Sequence, residues 1–401
     1  MTVTSATGAV LVLNAGSSSL KYQLINPDTE IVIADGIAER IGEMQSSITH
    51  HQGGETITQD AELPDHRTAI SVAQDLFAEC GTALATAGLL AVGHRVVHGG
   101  QIFHRPTLIT DDVVEEVGRI SDLAPLHNPA NLIGIEAARS QLPQVPSVAV
   151  FDTAFFHGLP DAAATYAIDR EVAEHYGVRR YGFHGTSHEY VSGRVADFLG
   201  RPIGEVNQIV LHLGNGASAS AISGGRPIDT SMGMTPLEGL VMGTRSGDID
   251  PGVLLHLNRV AQLGVDQIDT LLNKWSGLKG LCGENDFRSI TEKMAAGDSG
   301  ARKAYEVYIH RLRRYIGAYM IELGPVDAIT FTAGVGENAA SVRADALAGL
   351  EHYGIVVDAE RNAVRSKEAR RISADDATVD VLVVPTNEEL AIARQAATVV
   401  G

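Results

Sequence analysis

A strand, a glycine turn and a second strand occur twice in this chain, about half its length apart, and no other feature restricts the fold as much. Residues 9–14 (AVLVLN) read as a strand, residues 15–19 (AGSSS) as a turn and residues 20–25 (LKYQLI) as a second strand. In that second strand Lys21 and Gln23 fall on one face, Tyr22 and Leu24 on the other. Residues 208–213 (QIVLHL), 214–216 (GNG) and 217–222 (ASASAI) repeat the pattern. Setting Gly16 over Gly214 separates the copies by 198 positions and puts Asn14 over His212 and Ser17 over Asn215. The matched stretch is short, and two unrelated hairpins would give the same pattern. Read as a duplication, it predicts two related lobes, each opening with strand, polar turn and strand.

The rest of the chain alternates in period. A third strand over residues 30–34 completes a three-stranded antiparallel opening. Further strands are expected at 89–97, 146–151, 326–332 and 378–384, and helices at 67–84, 129–140, 187–199, 300–323 and 388–398. Strands alternating with helices define an α/β architecture. A length of 401 residues suits two domains, and no low-complexity linker or charge run marks a boundary. Residues 41–62, with His50, His51, Gly53 and Gly54, read as an exposed excursion.

Composition excludes several classes. Hydrophobic residues make up 44% and charged residues 20%, so disorder is not expected. The net charge of −18 argues against nucleic acid as a partner, since phosphate backbones need a cationic surface. It leaves room for small anions, because a few cations in a cleft override the global field. The two cysteines, Cys80 and Cys282, have neither CxxC nor zinc spacing, which points to a reduced, cytoplasmic setting. Residues 1–8 lack the basic and apolar segments of a secretory leader, and apolar runs such as 381–385 are too short to span a membrane.

Three glycine-containing turns follow apolar strands, around Gly16, Gly214 and Gly334. Glycine lets the backbone approach a phosphate, and exposed amides donate to its oxygens. Such turns are often only turns; three in one chain suggest a nucleotide cradle, although there is no GxxxxGK[ST]. Arg95 (GHRVVHGG) and Arg245 (GTRSGDIDP) each stand in a glycine-rich polar stretch, as an anion-binding fork or a surface ion pair would. Asp152 ends an apolar strand, where α/β proteins place functional groups and where a carboxylate also bonds turn amides. His184 directly precedes a helix whose cap would be Thr186 or Ser187. Before the last helix, Asn387 suits a cap and Glu388 the positive helix end, while a carboxylate there could also hold Mg2+.

Taken together, the segments LNAGSSSLK, GHRVVHGG, FDTAFF, YGFHGTSH, HLGNG, GTRSGDIDP, DFR, GVGEN and TNEE resemble, in order and over essentially the whole chain, the acetokinase family of the acetate and sugar kinase, Hsp70 and actin superfamily. The resemblance implies two lobes with duplicated ribonuclease-H-like (actin-like ATPase) cores around a central cleft. These are expected as residues 1–151 plus 389–401, and a nucleotide-binding lobe of residues 152–388. It implies reversible phosphoryl transfer from ATP to acetate, giving acetyl phosphate and ADP, with Mg2+ (Mn2+ able to substitute), in a cytoplasmic homodimer. A propionate or butyrate kinase is the runner-up, and a non-kinase nucleotide-binding member of the superfamily the competing class. The resemblance places Asp152, His184 and Arg245 in catalysis, and Arg95 at the substrate carboxylate. Val97, Leu126, Phe183 and Pro236 match an apolar pocket for the acyl methyl. Lys21, then His212, Leu213, Gly214, Asn215 and Gly216, then Asp286, Phe287 and Arg288, and finally Gly334, Val335, Gly336, Glu337 and Asn338 match nucleotide-binding positions. Asn14 and Glu388 match metal-associated ones.

Elementary chemistry agrees with this reading. A carboxylate nucleophile, with a pKa of about 4, is already ionised at neutral pH and needs no base. Asp152 is therefore expected to orient groups or metal-bound water, and the cations to offset repulsion between two anions.

Overall fold

A computed structural model describes residues 8–401, which form two compact units. The residues up to His157, together with Asn387–Gly401, make the first; Gly158–Thr386 make the second. Asp152 and Glu388, expected in the nucleotide-binding lobe, thus belong to the same unit as Arg95. The stretch read for a leader lies, up to residue 7, outside the described residues.

The first unit is built on one eight-stranded sheet: β1 (Val10–Ala15), β2 (Ser19–Ile25), β3 (Val32–Glu39), β4 (Ser47–Gln52), β5 (Glu55–Asp60), β6 (Ala91–Val96), β7 (Thr107–Leu108) and β8 (Ser147–Phe151). The order is β5-β4-β3-β2-β1-β6-β8-β7. β1, β2 and β3 are antiparallel neighbours, β1, β6 and β8 run parallel, and β7 returns antiparallel. The second unit has β9 (Asn207–Leu213), β10 (Ala217–Ser223), β11 (Arg226–Thr230), β12 (Ala328–Thr332), β13 (Arg370–Arg371) and β14 (Asp380–Val383) in the order β11-β10-β9-β12-β14-β13. Strand for strand, this repeats the run from β3 to β7 in order and in sense. The hairpins also agree: Ala15 pairs with Leu20 and Leu213 with Ala217, so Gly16 and Gly214 each begin their turn. Each unit is a ribonuclease-H-like core, and the duplication signalled by one turn extends to six strands, with β4 and β5 added in the first unit alone.

Helices cover the sheets where their spacing gives an apolar stripe. The helix His66–Glu79 starts at Asp65, whose carboxylate accepts from the Thr68 amide, and buries Ala69, Ile70, Ala73, Leu76 and Phe77. The closing helix Glu388–Val400 starts at Asn387, whose side chain accepts from the Leu390 amide, and packs on β1, β6 and β8. Gly93 in β6 permits this approach, since a Cβ there would come within 2.9 Å of Ile392. In the second unit the long helix Ser299–Leu323 packs against β9 and β10 and buries residues that include Ala304, Tyr308, Leu312 and Tyr319.

Three expectations need correction. Residues 41–62 are no excursion: β4 and β5 extend the sheet beyond β3. Ile48 and His50 are fully buried, and Tyr22 shares a 3.0 Å hydrogen bond with His50 Nδ1. The stretch from Gly334 to Asn338 is a short helix, Ala333–Asn338, rather than a turn. Thr186 and Ser187 do not cap the helix Gly185–Leu199 but lie buried within it; His184 holds the cap position in a left-handed conformation, φ 57°. Among the described residues no helix is long and apolar enough to cross a membrane.

Candidate active site

In the first unit the parallel strands β1, β6 and β8 end side by side, and their last residues carry the polar groups. Asn14 sits near the end of β1, paired with Lys21 on β2. Arg95 is near the end of β6, and Asp152 directly follows β8. Arg95 Nε donates to both Asp152 oxygens at 3.0 and 3.1 Å, and Nη2 donates to Oδ2 at 2.6 Å. Among the described residues Nη1 has no hydrogen-bond acceptor. Asp152 is 1% exposed. Burial pushes its carboxyl up and Glu388 adds to that, while the Arg95 fork pulls against both. Burial works against the Arg95 charge too, but Asp152 and Glu388 outweigh it and hold the guanidinium protonated.

A cavity of about 100 Å³ opens beside this pair, lined by Val12, Asn14, Lys21, Arg95, Glu388, Glu389 and Ile392. The first turn of the closing helix supplies the two glutamates, where its dipole favours negative charge. Glu389 forms an ion pair with Lys21. The segment after β6 is pinned by groups that the sequence reading missed. Asn131 accepts from the Val97 amide and donates to Ala15 O, Asn128 bonds both backbone groups of His98, and Thr153 accepts from Gly99. Of the apolar pocket candidates, half-buried Val97 and exposed Leu126 are in this unit; Phe183, fully buried, and half-buried Pro236 are in the other.

In the second unit the turn between β9 and β10 is the focus. His184 and His212 stack with ring centroids 4.3 Å apart. A Cβ on Gly216 would lie 3.1 Å from Arg245 Nη2 and 3.4 Å from His184 Nε2, so both side chains crowd the same bare stretch of backbone. Arg245 is steadied by Nη1 donating to Pro236 O at 2.6 Å. Asn215 O accepts from the Gly243 amide, and Asn285 donates to the Asn215 side chain at 3.4 Å. The loop of Arg245, the turn with Gly214, Asn215 and Gly216, and the segment before Asp286 are thereby tied together. Leu213 ends β9 in the core.

The remaining expected residues have local roles as well. Asp286 caps the helix Phe287–Ala295, accepting from the Arg288 and Ser289 amides, and pairs with the Arg288 side chain. The Arg288 side chain, then the backbone amides, lower its carboxyl to about 2. Phe287 packs edge-on against Tyr308. In the helix Ala333–Asn338, Gly336 is buried, Gly334 and Asn338 are exposed, and Val335 is half-buried. Glu337 accepts from the Thr386 amide at 3.4 Å, with its carboxyl raised by burial. Arg343, which nothing in the sequence singled out, is 1% exposed and donates to the carbonyls of Gly336, Glu337 and Asn362. Burial lowers it to about 10.

Duplicated ribonuclease-H-like cores, with polar groups gathered at the ends of parallel strands and at glycine turns, define the class as the actin-like ATPase fold. The chain belongs to the acetokinase family, whose model matches residues 9–394, and is a phosphotransferase of that family. It is 58% identical to an acetate kinase of Corynebacterium efficiens over 390 residues, covering 96% of this chain and 98% of that one. Among solved structures it is similar to an acetate kinase of Porphyromonas gingivalis (41% identity, TM-score 0.93, covering 98% of this chain and 100% of that one). It is equally similar to a propionate kinase of Francisella tularensis (41% identity, TM-score 0.92, covering 97% and 99%).

Proposed function

We propose that the chain transfers the γ-phosphoryl group of ATP to acetate, reversibly, giving ADP and acetyl phosphate. An acetate oxygen attacks the γ-phosphorus in line. The bond from that phosphorus to the β,γ-bridging oxygen breaks, and its electron pair leaves with ADP. The arrangement of Arg95 carries the reading. Asp152 engages Nε and Nη2 and so fixes the guanidinium, leaving Nη1 to donate to the substrate carboxylate. Asp152 acts by orienting Arg95, since the ionised nucleophile gives up no proton. Val97, Leu126, Phe183 and Pro236 are assigned to the acyl methyl.

His184 and Arg245 aim at the transferring phosphoryl group, where preorganised donors offset developing charge. Lys21, the turn from His212 to Gly216, Asp286, Phe287 and Arg288, and the helix from Gly334 to Asn338 are assigned to the nucleotide. Asn14 and Glu388 line one cavity and offer only oxygen donors, which suits Mg2+ or Mn2+. Bound there, the metal would supply Lewis-acid neutralisation of phosphate charge.

Propionate is the second reading, favoured by the equal similarity to a propionate kinase structure. A cytoplasmic homodimer fits two observations. Cys80 and Cys282 are free thiols, and the helix Pro251–Ala261 buries none of its residues, leaving Leu255 and Val260 exposed for a second copy. The test is hydroxylamine trapping of acyl phosphate across acetate, propionate and butyrate. Hydroxamate is expected to form fastest with acetate, and a preference for butyrate would overturn the assignment.

A further inference from the structure

Behind His184 runs a line of buried side chains from two elements, the helix Gly185–Leu199 and strand β10. His184 Nδ1 is 2.9 Å from Ser218 Oγ. Ser218 Oγ is 2.7 Å from His188 Nε2, and His188 Nδ1 is 2.7 Å from Ser220 Oγ. Ser218, His188 and Ser220 are all fully buried. We propose that Ser220, His188 and Ser218 form a hydrogen-bond chain of fixed direction that keeps the proton of His184 on Nε2, which makes them positioning residues for phosphoryl transfer.

The direction follows from counting protons. Among the described residues Ser220 Oγ has one hydrogen-bond partner, His188 Nδ1. A buried hydroxyl that donates to nothing costs about 1–3 kcal/mol, so the Ser220 proton goes to His188 Nδ1. The His188 ring carries a single proton, because burial drives its pKa well below the ordinary value. With Nδ1 accepting, that proton is on Nε2 and is donated to Ser218 Oγ. The one proton of Ser218 is then donated to His184 Nδ1. A His184 that accepts at Nδ1 bears its proton at Nε2, and Nε2 faces Gly216 beside Arg245 Nη2. The reverse direction would strand the Ser220 proton and present a lone pair at Nε2, which cannot donate to a phosphoryl oxygen.

The inference rests on the assignment of His184 to the phosphoryl group, but its first readout does not need activity. Nitrogen-15 histidine spectra of the full-length protein, with His184 identified by loss of its signals in His184→Gln, report the tautomer of the unliganded protein. The Nε2–H form is expected at His184 and at His188, and an Nδ1–H form at either refutes the chain. Ser218→Ala removes a single oxygen. It should give a mixed tautomer at His184 and lower kcat about 10-fold, with the KM for ATP within twofold. An unchanged tautomer and kcat would reduce Ser218 to a packing residue. Should the wild-type protein form no acyl phosphate while the Nε2–H signature is present, the functional assignment fails and the chain stands.

Discussion

Gly216→Ala is expected to lower activity while leaving stability intact. The backbone at Gly216 is outside the left-handed region, so alanine meets no conformational strain. Its Cβ would lie 3.1 Å from Arg245 Nη2 and 3.4 Å from His184 Nε2, closer than comfortable contact. Both neighbours must give by a few tenths of an ångström, and the end of an arginine side chain does so cheaply. Loss of glycine also narrows the unfolded ensemble, an effect worth about 0.4–1 kcal/mol in favour of the folded state. Thermal stability should therefore stay the same or rise. Activity should not. Removing one preorganised donor typically costs about 10²–10³ in rate, and a misplacement of about 1 Å about 10². Shifting two donors by a fraction of that distance should lower kcat by about 10- to 100-fold. Coupled-enzyme rates and a melting curve on the same sample decide the matter. Wild-type kcat with an unchanged melt would refute the convergence of His184 and Arg245 on this turn.

Other expectations follow from the same geometry. Arg95→Ala should lower kcat/KM for acetate by about 10²–10³. It also strands the buried Asp152 carboxylate, costing about 3–5 kcal/mol, so adding Asp152→Ala should recover stability in a urea melt but not activity. Glu388→Ala should raise the Mg2+ concentration needed for half-maximal rate while lowering stability by no more than about 1 kcal/mol; a melt that moves with no change in metal dependence would leave Glu388 a helix-end residue only. Val97→Ala should narrow the acetate-to-propionate ratio of kcat/KM, itself no more than roughly 10–200-fold, and an unchanged ratio removes Val97 from the pocket. Asp286→Asn should lower the melting temperature at neutral pH. The folded carboxyl is depressed to about 2, so its contribution is present above the ordinary aspartate range and fades as pH falls from about 4 towards 2. A melting difference that persists at pH 2 would contradict that cause.

Much of the architecture is legible in the chain because each sheet opens on an apolar strand, a glycine turn and a second strand. The match of Gly16 with Gly214 rests on a few residues, yet it predicts a repeat that the strand orders carry through to β7 and β13. Residues 41–62 hid their role because a polar residue holds a core position. His50 is buried by its bond to Tyr22 and by an edge contact with Phe77, neither visible as hydrophobic alternation. The helix from Ala333 to Asn338 resembles a turn in sequence because two of its six residues are glycine. Its last carbonyls are held by Arg343, and a buried arginine without a carboxylate leaves no trace in a local pattern. The candidate site residues were legible as types in suggestive surroundings, and their grouping was not. Arg95 and Asp152 are 57 positions apart and meet only because β6 and β8 are parallel neighbours. The pins on the segment after β6, Asn128 and Asn131, sit in the first turns of the helix Asn128–Gln141, and apolar spacing along a helix says nothing of the backbone that its asparagines bond.

The central claim, that an acetate oxygen attacks the γ-phosphorus of ATP, is tested most directly with acetate labelled with oxygen-18 in both carboxyl positions. Phosphorus NMR of the reaction with ATP and Mg2+ follows the γ-phosphorus into product. The account predicts acetyl phosphate whose phosphorus bears one oxygen-18, in the bridge to the acetyl group, together with unlabelled ADP. Release of unlabelled inorganic phosphate without acetyl phosphate, or formation of AMP and pyrophosphate, would contradict it.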